Sequence, residues 1–531
     1  MQTVSEKWKE IHKKSIVNES FVEVSLDIAD PESLADASSQ DNGAIYISDS
    51  SQIVDGLDKS PVPYCTLEQN LWCLDGNRKA IPESNYNNSM YVSDVLSDEN
   101  CIFSTKIPVI TISFSKVYDK LIPGVTITWS ATYGEFADNF VVVAYNGDTI
   151  IGEREVVGNK AINTLVFLDM VGYDRVVIYI KKWCLPNHRA RVEKILIGLN
   201  KVYGKTDLFD YSHTQSVDPT STSLPKVEIK FSISNIDGEY NPYNQNGLAK
   251  YLMERQEIKA RYGLKLDDGS IEWIKGGTFY LSEWYAKQNG ITADFTARDL
   301  LEFMSDIYFD TVSVIEPRSL YDLAVSILNS ADLPLNSDGT LKWFVDDSLK
   351  SIYTLGILPE DTRANCLQLI ANAGECVIYQ DRDGVLRIVP LEYNETDYTI
   401  DSFNSYSKSE ITLAKPLKQV NVKQYTYTLG EKGIESTSTE VIHVGSAVGE
   451  TITIDNPLVT DEARAMSVGA WLYTHLAHRM TLDSSWRADV RLDALDIVTN
   501  KNDYNTNKVR MTDVEFKFNG AFRGTGKGKV I

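Results

Sequence analysis

The stretch Arg261–Trp284, RYGLKLDDGSIEWIKGGTFYLSEW, sets an Asp-Asp-Gly-Ser between two runs that alternate apolar and polar residues. Ile258, Ala260, Tyr262, Leu264 and Leu266 alternate with Lys259, Arg261, Gly263 and Lys265, and Ile271 and Trp273 resume the apolar face. A period of two turns successive side chains to opposite faces of a strand. Asp267-Asp268-Gly269-Ser270 offers a glycine tolerant of positive φ and carboxylates that cap nearby N–H groups, which is hairpin chemistry. A calcium loop needs further oxygen ligands at fixed offsets, and none follow. The acidic cluster is a turn, and the chain is read as mainly β.

The alternation continues in ITADFTAR (Ile291–Arg298), so residues 216–310 are expected to form a small antiparallel barrel. KVEIKFSISN (Lys226–Asn235) repeats the pattern of FVEVSLDIAD (Phe21–Asp30). The first strand of this barrel is therefore placed in residues 1–30, after a short amphipathic helix. Two polar stretches, Pro31–Gly43 and His213–Pro225, bracket residues 31–215. Inside them, short strands recur at regular spacing, and Asn146-Gly147-Asp148 joins two apolar runs as a hairpin turn. Strands without intervening helices predict an inserted β-sandwich of jelly-roll type.

Residues 311–410 read as a mixed α/β domain. Ser319 and Asp322 are spaced like a capping box ahead of a helical stripe of Leu320, Leu323, Ala324, Ile327 and Leu328. A second helix carries Leu367, Ile370, Ala371 and Gly374 on one side. Residues 411–531 are expected to form a second barrel with one long helix after Thr460, striped by Met466, Ala470, Tyr473, Ala477 and Met480. Val514, Phe516 and Phe518 alternate near the end. The fold class is thus mainly β with α+β parts: two barrels, a mixed α/β domain and an inserted sandwich.

Composition narrows the function. A formal charge of −22 over 531 residues argues against a protein that grips nucleic-acid phosphates. The charged N-terminus is not a signal peptide, and no run reaches the roughly 20 apolar residues of a membrane span. The six cysteines, Cys65, Cys73, Cys101, Cys184, Cys366 and Cys376, fit no zinc spacing and read as reduced thiols of a chain folded in a cytoplasm. The sequence contains no phosphate-binding loop, nucleophile elbow, zinc-protease helix or dinucleotide fingerprint. His475 and His478 lack a third ligand nearby and read as surface or interface residues. Asp381 and Asp383 fall in a hairpin turn. No catalytic residue, cofactor or metal is expected, and the chain is not read as an enzyme. One binding hint remains. Trp129, Tyr133, Tyr145 and Trp183 in the sandwich would serve as a carbohydrate platform if exposed, because flat π faces pack on sugar faces. Trp129 and Trp183 also sit where alternating strands bury a core.

Several long stretches resemble tail proteins of phages and prophages of Gram-positive bacteria: LPKVEIKFSISNIDGEYNPYNQNGLAKYLMERQEIKARYG, WIKGGTFYLSEW, GITADFTARDLLEFM, YCTLEQNLWCLDG and the closing SSWRADVRLDALDIVTNKNDYNTNKVRMTDVEFKFNGAFRGTG. The C-terminal 300 residues or so are similar to the tail-tip, or baseplate-hub, family of long-tailed phages and contractile injection machines. The resemblance implies a homotrimer whose two barrels per chain make a pseudo-sixfold ring between tail tube and tip. It implies partners: the tail tube or distal tail protein, the tape-measure protein, and fibre, spike or receptor-binding proteins, with host cell-wall glycan as a further contact of the sandwich. It places the chain in the virion tail, assembled in the bacterial cytoplasm. The chain ends at Ile531 without the hydrolase or spike extension seen in many members, so wall-cutting is expected of a separate protein. The alternative is a receptor-binding tail protein that recognises cell-wall carbohydrate through the sandwich. A cryptic glycan hydrolase ranks third.

Overall fold

The computed structural model describes residues 1–531 apart from 15, 46, 47, 49, 51, 52, 54–89, 288, 289, 311–314, 336–339, 431 and 432. Cys65, Cys73 and the YCTLEQNLWCLDG stretch lie outside the described residues. The opening hairpin is present: strands Glu257–Lys265 and Ile271–Ala286 pair antiparallel around the turn. Gly269 has φ +87°, and the Ser270 N–H donates to Asp268 at 3.0 Å. The turn carboxylates have partners from the first helix and the segment after it. Lys7 of α1 (Glu6–His12) reaches Asp268 at 2.9 Å, and Lys14 reaches Asp267 at 2.7 Å.

These strands belong to a 15-stranded sheet that runs through most of the chain. Strand Ser20–Ala29 lies between Glu257–Lys265 and Lys194–Tyr203. Lys194–Tyr203 is also how the sandwich is stitched in. Its residues 194–197 pair with Ile122–Thr128, whereas Gly198 onward pairs with Ser20–Ala29. Gly198 is the pivot, at φ +145°. A Cβ there would lie 2.5 Å from that of Ala29 and 2.6 Å from the Ile28 carbonyl oxygen.

The two barrel-like halves share a strand and a core. Leu208–Ser216 pairs on one side with Lys226–Ser234 and on the other with Thr506–Phe518. This corrects two sequence boundaries. The inserted module, bounded at 215 in the sequence, ends before Leu208–Ser216, which belongs to the shared sheet. His213–Ser216 of the stretch read as a polar linker is strand, with His213 buried. The pairings run as a path and do not close into a ring among the described residues. One apolar core nevertheless spans both halves, from Trp8, Val24, Tyr262 and Phe279 to Trp486 and Phe516. In strand Phe522–Val530, glycines at 524 and 526 leave the Trp486 ring room to lie on the backbone.

The module between 31 and 207 is a two-sheet sandwich. One sheet orders Ser38–Asp41, Val109–Tyr118, Tyr173–Trp183, Ala137–Asn146 and Thr149–Val157; Asn163–Met170, Ile122–Thr128 and Lys194–Tyr203 make the other. Ile112, Ile127, Phe140, Ile178 and Ile195 fill the space between them. The Pro31–Gly43 stretch is more ordered than its polarity predicted. It forms α2 (Pro31–Asp36), capped by Asp30, and then the edge strand Ser38–Asp41.

α3 (Leu320–Asn329) and α4 (Arg363–Ala373) form as read. Ser319 accepts from the Asp322 N–H at 3.0 Å, and Thr362 accepts from Asn365 at 3.2 Å. Both pack on the small sheet of Trp343–Val345, Leu386–Pro390 and Cys376–Gln380. The long helix α5 (Glu462–Leu476) differs from expectation. Its buried face is Ala465, Val468, Gly469 and Leu472, while Met466 is exposed and Met480 begins a strand. That face joins α3 and α4 in a single core, together with strand Leu417–Gly430. Much of 417–476 therefore packs with the mixed domain. Conversely, Glu395–Ile400 leaves the mixed domain to pair in parallel with Ile497–Lys501 of the large sheet.

Candidate functional site

The four aromatic candidates do not form a platform. Trp129 and Trp183 are fully buried in the sandwich core, 6.0 Å apart between ring centroids and edge to face at 82°. Their indole N–H groups are engaged. Trp129 donates to Thr164 Oγ1 and Trp183 to Glu135 Oε2, each at 2.9 Å. Tyr133 stays at this end, with the Arg191 guanidinium 4.8 Å from its ring centre. Tyr145 is at the other end. Ala137 pairs with Trp183 and Tyr145 with Arg175, so about eight residues of strand, roughly 26 Å, separate Tyr145 from Trp183. Arg175 covers the Tyr145 ring at 4.6 Å. The core reading of the tryptophans holds because both occupy inward positions of the alternation.

Sequence reasoning missed the charged pair beneath them. Arg191 and Glu135 are both buried, and Arg191 Nη1 donates to Glu135 Oε2 at 3.0 Å. Glu135 thus serves Trp183 and Arg191 together. Nothing in the local pattern ATYGEF marks Glu135 as inward, because it precedes the strand that begins at Ala137.

A second cluster lies where the two barrel-like halves meet the mixed domain. A cavity of about 170 Å³ is lined by His213, Gln215, Tyr379, Arg382, Asp493 and Asp496, among others. Arg382 Nε donates to Asp493 Oδ1 at 2.6 Å, Nη1 to the Lys275 carbonyl at 3.0 Å and Nη2 to the Leu492 carbonyl at 2.8 Å. Gln215 donates to Asp493 at 3.2 Å and accepts from the Ala494 N–H at 2.8 Å. The Met1 amino group donates to Asp496 at 2.9 Å. His213 Nδ1 and the Tyr262 hydroxyl are 2.7 Å apart, and that hydroxyl is 2.8 Å from Tyr211.

Burial, helped by the Arg382 charge, pushes the His213 imidazole down to about 3, so it is neutral in ordinary solution. Burial pushes Asp493 up, but Arg382 and the Met1 amino group outweigh it and hold the carboxyl below its usual range. Asp496 goes the other way, raised chiefly by burial. These groups are spent on one another: a neutral imidazole, an ion pair and amide bonds that tie three segments together. Among the described residues no set of three or more His, Cys, Asp or Glu converges as a metal site.

No family model matches the sequence, and no curated protein does. Among solved structures, the chain is similar to the 43 kDa tail protein of prophage MuSo2 from Shewanella oneidensis, at 12% identity and a TM-score of 0.41, over 62% of this chain and 95% of that one. It is similar to a prophage tail protein from Listeria monocytogenes at 10% identity and 0.39, over 62% and 91%. It is also similar to the lectin domain of lectinolysin complexed with Lewis B antigen, at 14% identity and 0.20, over 31% and 93%.

Proposed function

We propose that this chain is a structural hub of a phage or phage-derived tail tip. In this reading it assembles as a homotrimer around an axial channel, joining the tail tube to the tip while DNA or tape-measure protein passes. The observation that carries the reading is the strand Leu208–Ser216, paired with one barrel-like half on each side. A strand shared through continuous hydrogen bonding, backed by one apolar core, holds two β modules in one chain at a fixed angle. A ring of three such chains presents six modules, the match needed between a sixfold tube and a threefold tip. The sequence resemblance supports the same assignment. So does the charge of −22 per copy, which leaves a channel wall little affinity for passing phosphates.

The partners follow from that position: tube or distal tail protein above, tape-measure protein within, fibre, spike or receptor-binding proteins below. The chain acts by assembly rather than turnover, in the virion tail after assembly in the host cytoplasm. The carbohydrate-binding alternative loses its aromatic basis, since Trp129 and Trp183 are buried. Imaging of the assembled particle tests the hub reading. Three copies encircling the tail axis are expected; a copy on a lateral appendage would overturn it, and turnover of purified cell wall would overturn the non-enzymatic role.

A further inference from the structure

Two features of opposite charge lie on the α5 unit. The first is a cluster of cations at the C-terminal end of α5. Arg510 and Lys529 are direct cross-strand partners in the antiparallel pair Thr506–Phe518 and Phe522–Val530. Like charges placed opposite one another are unfavourable unless something neutralises them. His475 and His478 stand over this pair. The Arg510 and Lys529 charges depress both imidazoles further, after burial, and His478 lies against the Val530 backbone. Burial also lowers Lys529 and Arg510. Arg510 donates to the Glu392 carbonyl at 3.2 Å, and Arg479 to the Ala414 carbonyl at 2.8 Å. Beyond its backbone pairing, the Lys529 ammonium has no hydrogen bond or ion pair among the described residues. Asp218 is the carboxylate that faces the cluster, and it is occupied. Its oxygens accept from the N–H and hydroxyl groups of Thr220 and Thr222. The Tyr393 side chain also lies near Arg510. The negative end of the α5 dipole offsets part of this charge.

The second feature is an acidic arm. Strand Gly433–Val444 pairs only with Leu417–Gly430, so its outer edge is open among the described residues. Glu435-Ser436-Thr437-Ser438-Thr439-Glu440 is exposed at every position, on both faces. Within the arm Glu440 accepts from Asn421 at 2.9 Å, while Glu435 is left to solvent. A polar, acidic strand with an open edge is a strand available to another chain.

The two features sit at opposite ends of one unit. Tyr425, partway up the hairpin, hydrogen-bonds Val459 just before α5 starts, whereas the Gly445 N–H, at the hairpin base, bonds Lys418 near Tyr473 late in α5. The helix between them is 15 residues long, about 22 Å. The arm points away from the cluster and reaches beyond the start of α5. From this geometry we infer that the Glu435–Glu440 arm of one copy docks on Lys529, His475 and His478 of the next, above the buried Arg510. The contact is head to tail, so each copy uses its arm once and its cluster once, as a closed threefold ring requires. This rests on the hub reading, whose ring it supplies with an interface.

Charge exchange tests it. In the full chain at low salt, Lys529→Glu or Glu435→Lys alone weakens self-association by about tenfold or more. Combining the two restores it to within about threefold. Association tightens only as pH falls below about 6.5, because both imidazoles, held below their ordinary value in the free chain, gain there a charge that the arm neutralises. Lys529→Arg, which keeps the charge, associates as the wild type does. Circular dichroism confirms that each variant folds. Association that persists but ignores Lys529→Glu, or a double variant that stays as weak as the singles, overturns this interface and leaves the hub reading standing. A chain monomeric at every concentration also overturns the interface, while the hub reading is then decided by particle imaging.

Discussion

Arg382 Nε donates to Asp493 Oδ1 at 2.6 Å, joining a hairpin turn of the mixed domain to a loop of the second barrel-like half. The guanidinium is almost wholly buried, at 4% exposure, and also holds two carbonyls. Removing Asp493 leaves a buried cation unpaired, which costs about 3 kcal/mol or more. Asp493→Ala is expected to lower the urea midpoint accordingly. Arg382→Met with Asp493→Leu should recover part of the loss, since replacing both charges removes the orphan. Equal midpoints for wild type and Asp493→Ala would refute the clamp.

Asp299 and His213 set opposing pH dependences. Burial raises the Asp299 carboxyl to about 7. The folded state therefore holds a proton there that the unfolded chain has released, and stability contributed by Asp299 is present below about pH 4 and lost as pH rises through 7. His213, depressed to about 3, works in reverse: its contribution is present above about pH 6.5 and lost as pH falls toward 3. Asp299→Asn keeps a cap acceptor for the Leu301 N–H, which lies 3.1 Å from Asp299 Oδ1. That variant is expected to gain on the order of 1–3 kcal/mol at pH 8 and nothing near pH 4. Melting temperatures across that range read the difference, and a uniform gain at all pH values would contradict it.

Trp129 is a core residue, so its loss is a stability event. Trp129→Ala is expected to cost the sandwich about 3–5 kcal/mol. Tyr145→Ala, at a half-buried position under Arg175, should cost about 1 kcal/mol or less. Tryptophan fluorescence during denaturation separates the two. A stable, folded Trp129→Ala chain would show the core assignment to be mistaken.

A methyl group at position 524 has no space. A Cβ on Gly524 would come 2.8 Å from Trp486 Cε2, and Trp486 is fully buried. Gly524→Ala is expected to cost about 1–3 kcal/mol through overpacking. The penalty should shrink when Trp486 is also changed to Phe, measured by a double-mutant cycle in denaturant. An unchanged penalty in the Phe background would locate the strain elsewhere.

Strand and helix identity were legible because they depend on neighbours in the chain. The alternation of Ile258, Ala260, Tyr262 and Leu264, the Asp-Gly turns and the Ser319 cap act through local backbone geometry, and each appears where the sequence puts it. The same local logic gave the inward facing of Trp129 and Trp183 as one of two readings, and burial selected it.

Partner choice between elements was not legible, because it depends on what lies across the fold. His213 looked like linker, yet it sits in a strand held from both sides by residues tens to hundreds of positions away. α5 kept its helix but turned Ala465, Val468 and Leu472 to a core that the sequence had assigned to another domain. Glu135 and Arg191 became a pair only when two strand ends were brought together. Short-range sterics and hydrogen bonding wrote the elements into the sequence. The burial of one surface against another, a property of the whole assembly of elements, decided how they joined.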